Sequence, residues 1–354
     1  MNHILPRIEY LTSDVQTREL IHFHTDGSAI QRGMQGASAC REEAHRWLSL
    51  TDAHLGITPQ DGQRALRWMD ESAEFAPDIV TELKALAEHL EVPWDFYAAA
   101  TFGGRLMREP SNCTTFGGFD FRKRAIAAKT DDLLPDELGL NVIQSCTPDH
   151  GFPHVKLHFA GSLFTSSGMN SEGLFVGLTG IPGPHLDRPA LPSLWLINLI
   201  LTQCRDVPAA IAFSKGIPFN IYGCSLLLSD RHHRIALIEK NACGLTVLPS
   251  DETGIFAHTN HILDPELASK SPTQPADLFK NSLARFDLLR ATLAKTSHLS
   301  INQAWDILQA HREDVSLLQK APAPLQTDYA VIASPSEHVI WIWSGPSPSC
   351  AQAS

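Results

Sequence analysis

The sequence is short of several things. It has no CxxC pair, no basic tract longer than "FRKR" at 121–124 and no apolar run of membrane-spanning length. Charged residues make up only 19 % of its 354 positions and sum to −11, spread along the chain rather than gathered in a tail. A nucleic-acid or anionic-lipid surface needs concentrated positive charge, so neither partner is expected. The most apolar stretch, "LPSLWLINLILTQC" at 191–204, falls short of the ~20 residues that cross a bilayer and reads as a buried helix. The start "MNHILPRIEYLTSD" lacks the basic head and apolar run of an export signal. Cysteines stand at 40, 113, 146, 204, 224, 243 and 350, an odd number. A cytoplasmic protein with reduced thiols is the expectation. Enzyme fingerprints are missing too: "GLFVGLTG" and "TFGGR" match neither a P-loop nor a dinucleotide turn, and no GxSxG elbow occurs.

What is present suffices for a core. Apolar residues reach 43 %, and the length allows one large domain. The first hundred residues read mainly helical, with apolar spacings of three and four in "ACREEAHRWLSLTDAHLG" and "DIVTELKALAEHLEVPWDFYAAATF". "DGSAIQRGMQGAS" ahead of them reads as a Gly-bearing turn. From about Thr115 short runs such as "HVKLHFAG", "GLFVGLTG", "CSLLLSD", "RIALIEK" and "LTVLPSD" alternate with turn residues, which predicts strands. Helices are expected to interrupt them at 193–216 and 276–296, and "YAVIASPSEHVIWIWSG" closes the chain as a β-hairpin. Helices first, then sheets with inserted helices, is an α+β pattern.

Two groups of residues carry possible chemistry. Among 17 histidines, "HFH" at 22–24 puts His22 and His24 on one strand face, and "RHHR" at 231–234 puts His232 and His233 in a turn. Neither comes with a second ligand group at zinc-like spacing, so a metal-binding protein is an alternative reading and no metal or cofactor is expected. The other group surrounds Cys113. A lone cysteine is usually a small buried hydrophobe, but "NCTTFGGFDFRKRAIAAKTDDLL" reads as a strand opening at the cysteine, a basic turn and a returning strand that ends in acid. Folded as a hairpin, it brings Lys129 and Asp132 towards Cys113, and a nearby cation favours thiolate. Further on, "FAHTNHILDPEL" offers Asn260, a side-chain donor suited to an oxyanion.

Five stretches, in order, resemble the acyl-coenzyme A:isopenicillin N acyltransferase family of self-processing cysteine N-terminal-nucleophile (Ntn) hydrolases. They are "DGSAIQRGMQGA" at 26–37, "NCTTF" at 112–116, "AKTDDL" at 128–133, "GMNSEGL" at 168–174 and "HTNH" at 258–261. The resemblance implies a four-layer αββα sandwich of two antiparallel sheets, preceded by a helical N-terminal segment. It also implies that the chain cuts itself between Asn112 and Cys113. Residues 1–112 would then form a small subunit and 113–354 a large catalytic one, held together as one compact domain. By the same resemblance Cys113 is the nucleophile and its own new α-amine the base. An α-amine titrates near pH 8, whereas the amide it replaces is not basic.

Residue by residue, the likeness gives Asp132 the task of orienting that amine, with Asp131 the alternative if the turn is one residue shorter. Asn260 matches the oxyanion donor, and Thr115 could assist processing. Asn170 and His261 are expected to shape structure. Three positions depart from the family pattern: Asn112 replaces the customary glycine, and Lys129 and Thr130 stand where arginine and asparagine are usual. The implied activity is cleavage or transfer of an acyl group from a small-molecule amide or thioester through a Cys113 acyl-enzyme. An uncut, non-catalytic scaffold of the same fold is the other alternative.

Overall fold

The computed structural model describes residues 4–12, 18–103, 112–184, 191–320 and 323–345; Cys350 and the stretch 104–111 lie outside them. Strands fall into two large sheets. The first runs in the order β1 (Arg7–Tyr10), β18 (Val339–Ser344), β17 (Gln326–Ser334), β4 (Ala125–Leu133), β3 (Asn112–Phe119) and β14 (Phe256–His258). The second runs β13 (Gly244–Leu248), β12 (Ile235–Asn241), β11 (Gly223–Ser229), β8 (Phe175–Ile181), β7 (Thr165–Asn170), β6 (His154–Phe159), β5 (Asn141–Pro148) and β2 (His22–Gly27). Two short pairs, β9 (Leu191–Pro192) with β10 (Phe219–Ile221) and β15 (His311–Arg312) with β16 (Val315–Ser316), sit apart.

Five helices come first: α1 (Ala29–Ala39), α2 (Arg41–Leu55), α3 (Pro59–Ala73), α4 (Pro77–His89) and α5 (Trp94–Gly103). The others are α6 (Leu196–Gln203), α7 (Val207–Gly216), α8 (Pro265–Ser269), α9 (Ala276–Leu293) and α10 (Ile301–Leu308).

Side-chain alternation along the strands builds the layers. In β4, Ile126 and Ala128 turn outward to meet Leu289, Leu293 and Leu308 of α9 and α10. Ala127, on the other face, joins Val331 and Ile342 against Val155, Met169, Phe175 and Leu227 of the second sheet. That sheet's outer face packs Val176, Leu226 and Ile238 on Leu196, Ile200 and Ala210 of α6 and α7. The result is the helix–sheet–sheet–helix sandwich. The helices predicted at 193–216 and 276–296 and the closing hairpin are all present.

Two expectations need correcting. The sheets are antiparallel except at one edge each, where the N-terminal segment adds β1 parallel to β18 and β2 parallel to β5. The described residues ahead of β3 are thus helices plus two edge strands. "DGSAIQRGMQGAS" is not a turn: Ser28 and Gln31 form a capping box and α1 starts at Ala29. Its Gly33 lies against α4, where an added Cβ would stand 2.3 Å from the Glu82 carbonyl oxygen. The glycine therefore permits close helix packing.

Candidate active site

The β3–β4 hairpin forms as the sequence suggested. Asp120 accepts the backbone N–H groups of Arg122 and Arg124 and pairs with the Arg124 guanidinium at 2.7 Å, which closes the turn. Register places Cys113 opposite Asp131, Thr115 opposite Lys129 and Asn112 opposite Asp132. On the face between the sheets, the Cys113 thiol donates to Asp131 Oδ1 at 3.5 Å, and Lys129 Nζ lies 4.0 Å from Sγ. Lys129 also donates to Asp131 Oδ1 at 2.7 Å and stands 5.1 Å from the Tyr329 ring centroid. Asn141 donates to Asp131 Oδ2 at 3.2 Å and to Asp328 at 2.8 Å. Burial pulls the Lys129 ammonium down, but Asp131, Cys113 and Tyr329 outweigh it and hold the pKa above the ordinary lysine value. Lys129 is therefore a fixed cation beside the thiol.

Asp132 is a correction. A strand's period of two carries it to the opposite face from Cys113, where its carboxylate accepts from Thr327 at 2.6 Å and Gln319 at 2.9 Å. The carboxylate on the cysteine face is Asp131. Burial pushes the Asp132 carboxyl up to about 6 from 3.8, against the pull of Arg285 and its hydrogen bonds. Between those two values the folded chain holds a proton that the unfolded chain releases. This group's contribution to stability is therefore lost as pH rises through about 6, a cost of about 3 kcal/mol at neutral pH. Asp132→Asn removes that titration. Its melting temperature minus that of wild type should grow by about 3 °C between pH 4.5 and 7.5. A difference that stays flat with pH would show that Asp132 does not titrate in this window.

Three side chains hold the Asn112–Cys113 peptide from the other direction. Cys113 N donates to Asn260 Oδ1 at 2.8 Å, the Cys113 carbonyl accepts from Arg285 Nη1 at 2.6 Å, and Asn112 Nδ2 donates to Asn281 Oδ1 at 3.2 Å. Arg285 ties these together, reaching Asn260 Oδ1 through Nη2 at 2.8 Å and Asn281 Oδ1 through Nε at 2.8 Å. With two donors on Oδ1, the amide orientation of Asn260 is set, and its Nδ2 donates to the Gly180 carbonyl at 3.0 Å. Arg285 is fully buried on α9. Burial pulls its pKa down against the attraction of Asp132 and Cys113. Sequence reasoning missed both Arg285 and Asn281. The available signal was an arginine on the helix stripe that also carries Ser282, Leu289 and Leu293, where a charge is buried only with partners.

Thr115 shares the Cys113 face and is buried, and its Oγ1 has no hydrogen-bond partner among the described residues. Asn170 shapes a turn, accepting from the Glu172 and Leu174 N–H groups and donating to the Leu201 and Cys204 carbonyls. His261 bonds Ser282 at 2.8 Å and packs edge-on against Phe286; burial brings its pKa down to about 4. His22 and His24 lie on the edge strand β2, His22 bonded to Ser145 at 2.9 Å. His232 and His233 belong to the β11–β12 turn at the far side of that sheet. Among the described residues, no group of three or more His, Cys, Asp and Glu side chains is arranged to hold a metal ion. Nor is any helix there long and apolar enough to cross a membrane.

The model of the acyl-coenzyme A:6-aminopenicillanic acid acyl-transferase family matches residues 121–341, more than half of the chain. The chain belongs to that family. The match begins downstream of Cys113, so it covers β4, Asn260 and α9 but not the cysteine itself. No curated protein matches by sequence. Among solved structures, the chain is similar to a Caenorhabditis elegans ortholog of N-acylethanolamine-hydrolyzing acid amidase, with 13 % identity and a TM-score of 0.44 over 63 % of this chain and 93 % of that one. It is likewise similar to a mutant of the conjugated bile acid hydrolase of Clostridium perfringens, with 10 % identity and a TM-score of 0.44 over 66 % of this chain and 89 % of that one.

Proposed function

We propose that the protein is a self-processing cysteine amidohydrolase or acyltransferase in which Cys113 is the nucleophile. What supports this most is the β3–β4 register, which sets Cys113 Sγ beside both Lys129 and Asp131 while Asn260 and Arg285 hold its backbone. Before cutting there is no α-amine, so another group must take the thiol proton. Asp131 Oδ1, 3.5 Å from Sγ, is the acceptor in this reading, and Lys129 stabilises the thiolate. Sγ attacks the Asn112 carbonyl carbon, the C–N bond to Cys113 breaks, and its nitrogen leaves as an amine with the proton. Water then hydrolyses the Asn112 thioester.

The mature site works the same way on a small-molecule amide or thioester. The Cys113 amine, held by Asn260 Oδ1, receives the thiol proton and returns it to the leaving group. The Asn260 amide nitrogen serves the oxyanion, and the Thr115 hydroxyl, on the Cys113 face, assists the cutting step. Water as acceptor gives hydrolysis, and an amine gives transfer. Asn112 lies in the β3 strand, an extended backbone open to asparagine as well as to the family's glycine.

The test is a denaturing gel with intact mass. Pieces of 112 and 242 residues, together the 354 of the chain, should co-purify, the larger one beginning Cys-Thr-Thr-Phe. An active enzyme that stays one polypeptide would remove the amine from the mechanism. An uncut chain whose Cys113 resists thiol-directed probes would point to the scaffold.

A further inference from the structure

Glu239, on β12 of the second sheet, is fully buried, and no function assigned above uses it. Three N–H donors converge on its carboxylate. Oε1 accepts from His258 Nε2 at 2.7 Å and from the Leu263 amide at 2.6 Å, and Oε2 accepts from the Asp264 amide at 3.0 Å. These donors bracket the segment 258–264, which leaves the edge strand β14 and carries Asn260. One carboxylate from the opposite sheet thus holds the segment at its beginning and its end. In between, the Asn260 amide N–H donates to Ser282 Oγ at 2.8 Å, and its side chain reaches Cys113 N. β14 is only three residues long and has a partner on one side, β3. Its own ladder is a weak constraint, whereas charge-assisted hydrogen bonds in a dry interior are strong ones.

We propose that Glu239 is a positioning residue. Through His258 and the Leu263 and Asp264 amides it fixes where the Asn260 side chain stands against Cys113. The inference rests on the reading of Cys113 as nucleophile for its catalytic consequence but not for its structural one, and the two parts separate in experiment.

The structural part is read in a Cys113→Ala chain, which stays uncut. Glu239→Gln keeps the size but replaces one acceptor oxygen with a donor that faces these N–H groups. Amide hydrogen exchange at 258–264 and at position 113 should speed up at least tenfold, with the sheet core unchanged. Unchanged exchange there overturns the proposal. The catalytic part is read as the rate of cutting after cell-free synthesis. Glu239→Gln should slow it about 100-fold, the scale of an ångström-sized misplacement. In an Asn260→Ala background the same change should cost less than twofold, because Glu239 acts through Asn260.

Losses that multiply in the double variant would mean that Glu239 acts by general destabilisation. If the wild-type chain is never cut while exchange responds as stated, the self-processing reading fails and the positioning role stands. Should Glu239→Gln not fold, His258→Gln and His258→Leu replace it. The glutamine amide still reaches Glu239 and should rescue cutting, and the leucine should not. Equal rates in those two variants would also overturn the proposal.

Discussion

Cys113→Ala should leave a single 354-residue chain and no turnover. Loss of a nucleophile costs on the order of 10⁶-fold, which puts the variant at background. Here one atom is asked to do two jobs, so the readouts must be separated. Cutting is scored by mass, and the mature site by alkylation with iodoacetamide followed by peptide mapping. Among the described residues, the background thiols favour this experiment. Burial pushes Cys40, Cys204 and Cys224 each up to about 12 and raises Cys146 as well, so near neutral pH they are thiols and slow to react. Cys113 sits between a lysine and a carboxylate, and its labelling should disappear in Lys129→Met before that of the half-buried Cys243 changes. Cutting that persists in Cys113→Ala would move the scissile chemistry elsewhere in the chain.

The sequence made the site's residue types legible better than their directions. The hairpin was readable because "DFRKR" is a turn between two apolar runs, and with it the meeting of Cys113 and Lys129. The carboxylate expected on the cysteine face was Asp132, with Asp131 the alternative, and it is Asp131 that stands there. The motif spacing from Lys129 pointed to Asp132, but residues 129 and 131 share a strand face and 132 does not. With a period of two, one position is the whole difference between the site and the helix layer.

The edge strand β1 was invisible for another reason. "RIEY" pairs with a partner more than 300 residues away, and four residues carry too little pattern to announce a strand. Arg285 and Glu239 belong to the same class. Each has other charged residues close by in the sequence, Lys240 beside Glu239 and Asp287 near Arg285, and only the tertiary contacts show which charge is buried and what it meets. Asn260 was marked by the "HTNH" stretch; that its carbonyl oxygen faces Cys113 N while its amide nitrogen meets the Gly180 carbonyl was not readable.

That second role gives Asn260 its sharpest test. Asn260→Ala removes the acceptor for Cys113 N and the amide donor together. Asn260→Asp keeps an acceptor at 2.8 Å from Cys113 N and from Arg285 Nη2, where the new charge has a ready partner, but loses the N–H. If the donor acts on the oxyanion, both variants should lose about 100- to 1,000-fold in kcat, or roughly 3–4 kcal/mol, with KM little changed. Aspartate would then be no better than alanine, since its charge opposes the oxyanion. If Asn260 only anchors the nucleophile's nitrogen, aspartate should stay within about tenfold of wild type while alanine falls. Pre-cut protein must be used, because on the proposed reading either variant should also slow cutting. Near wild-type kcat in both would make Asn260 a structural link between Cys113, Arg285 and Gly180, and would place the oxyanion donor on another residue.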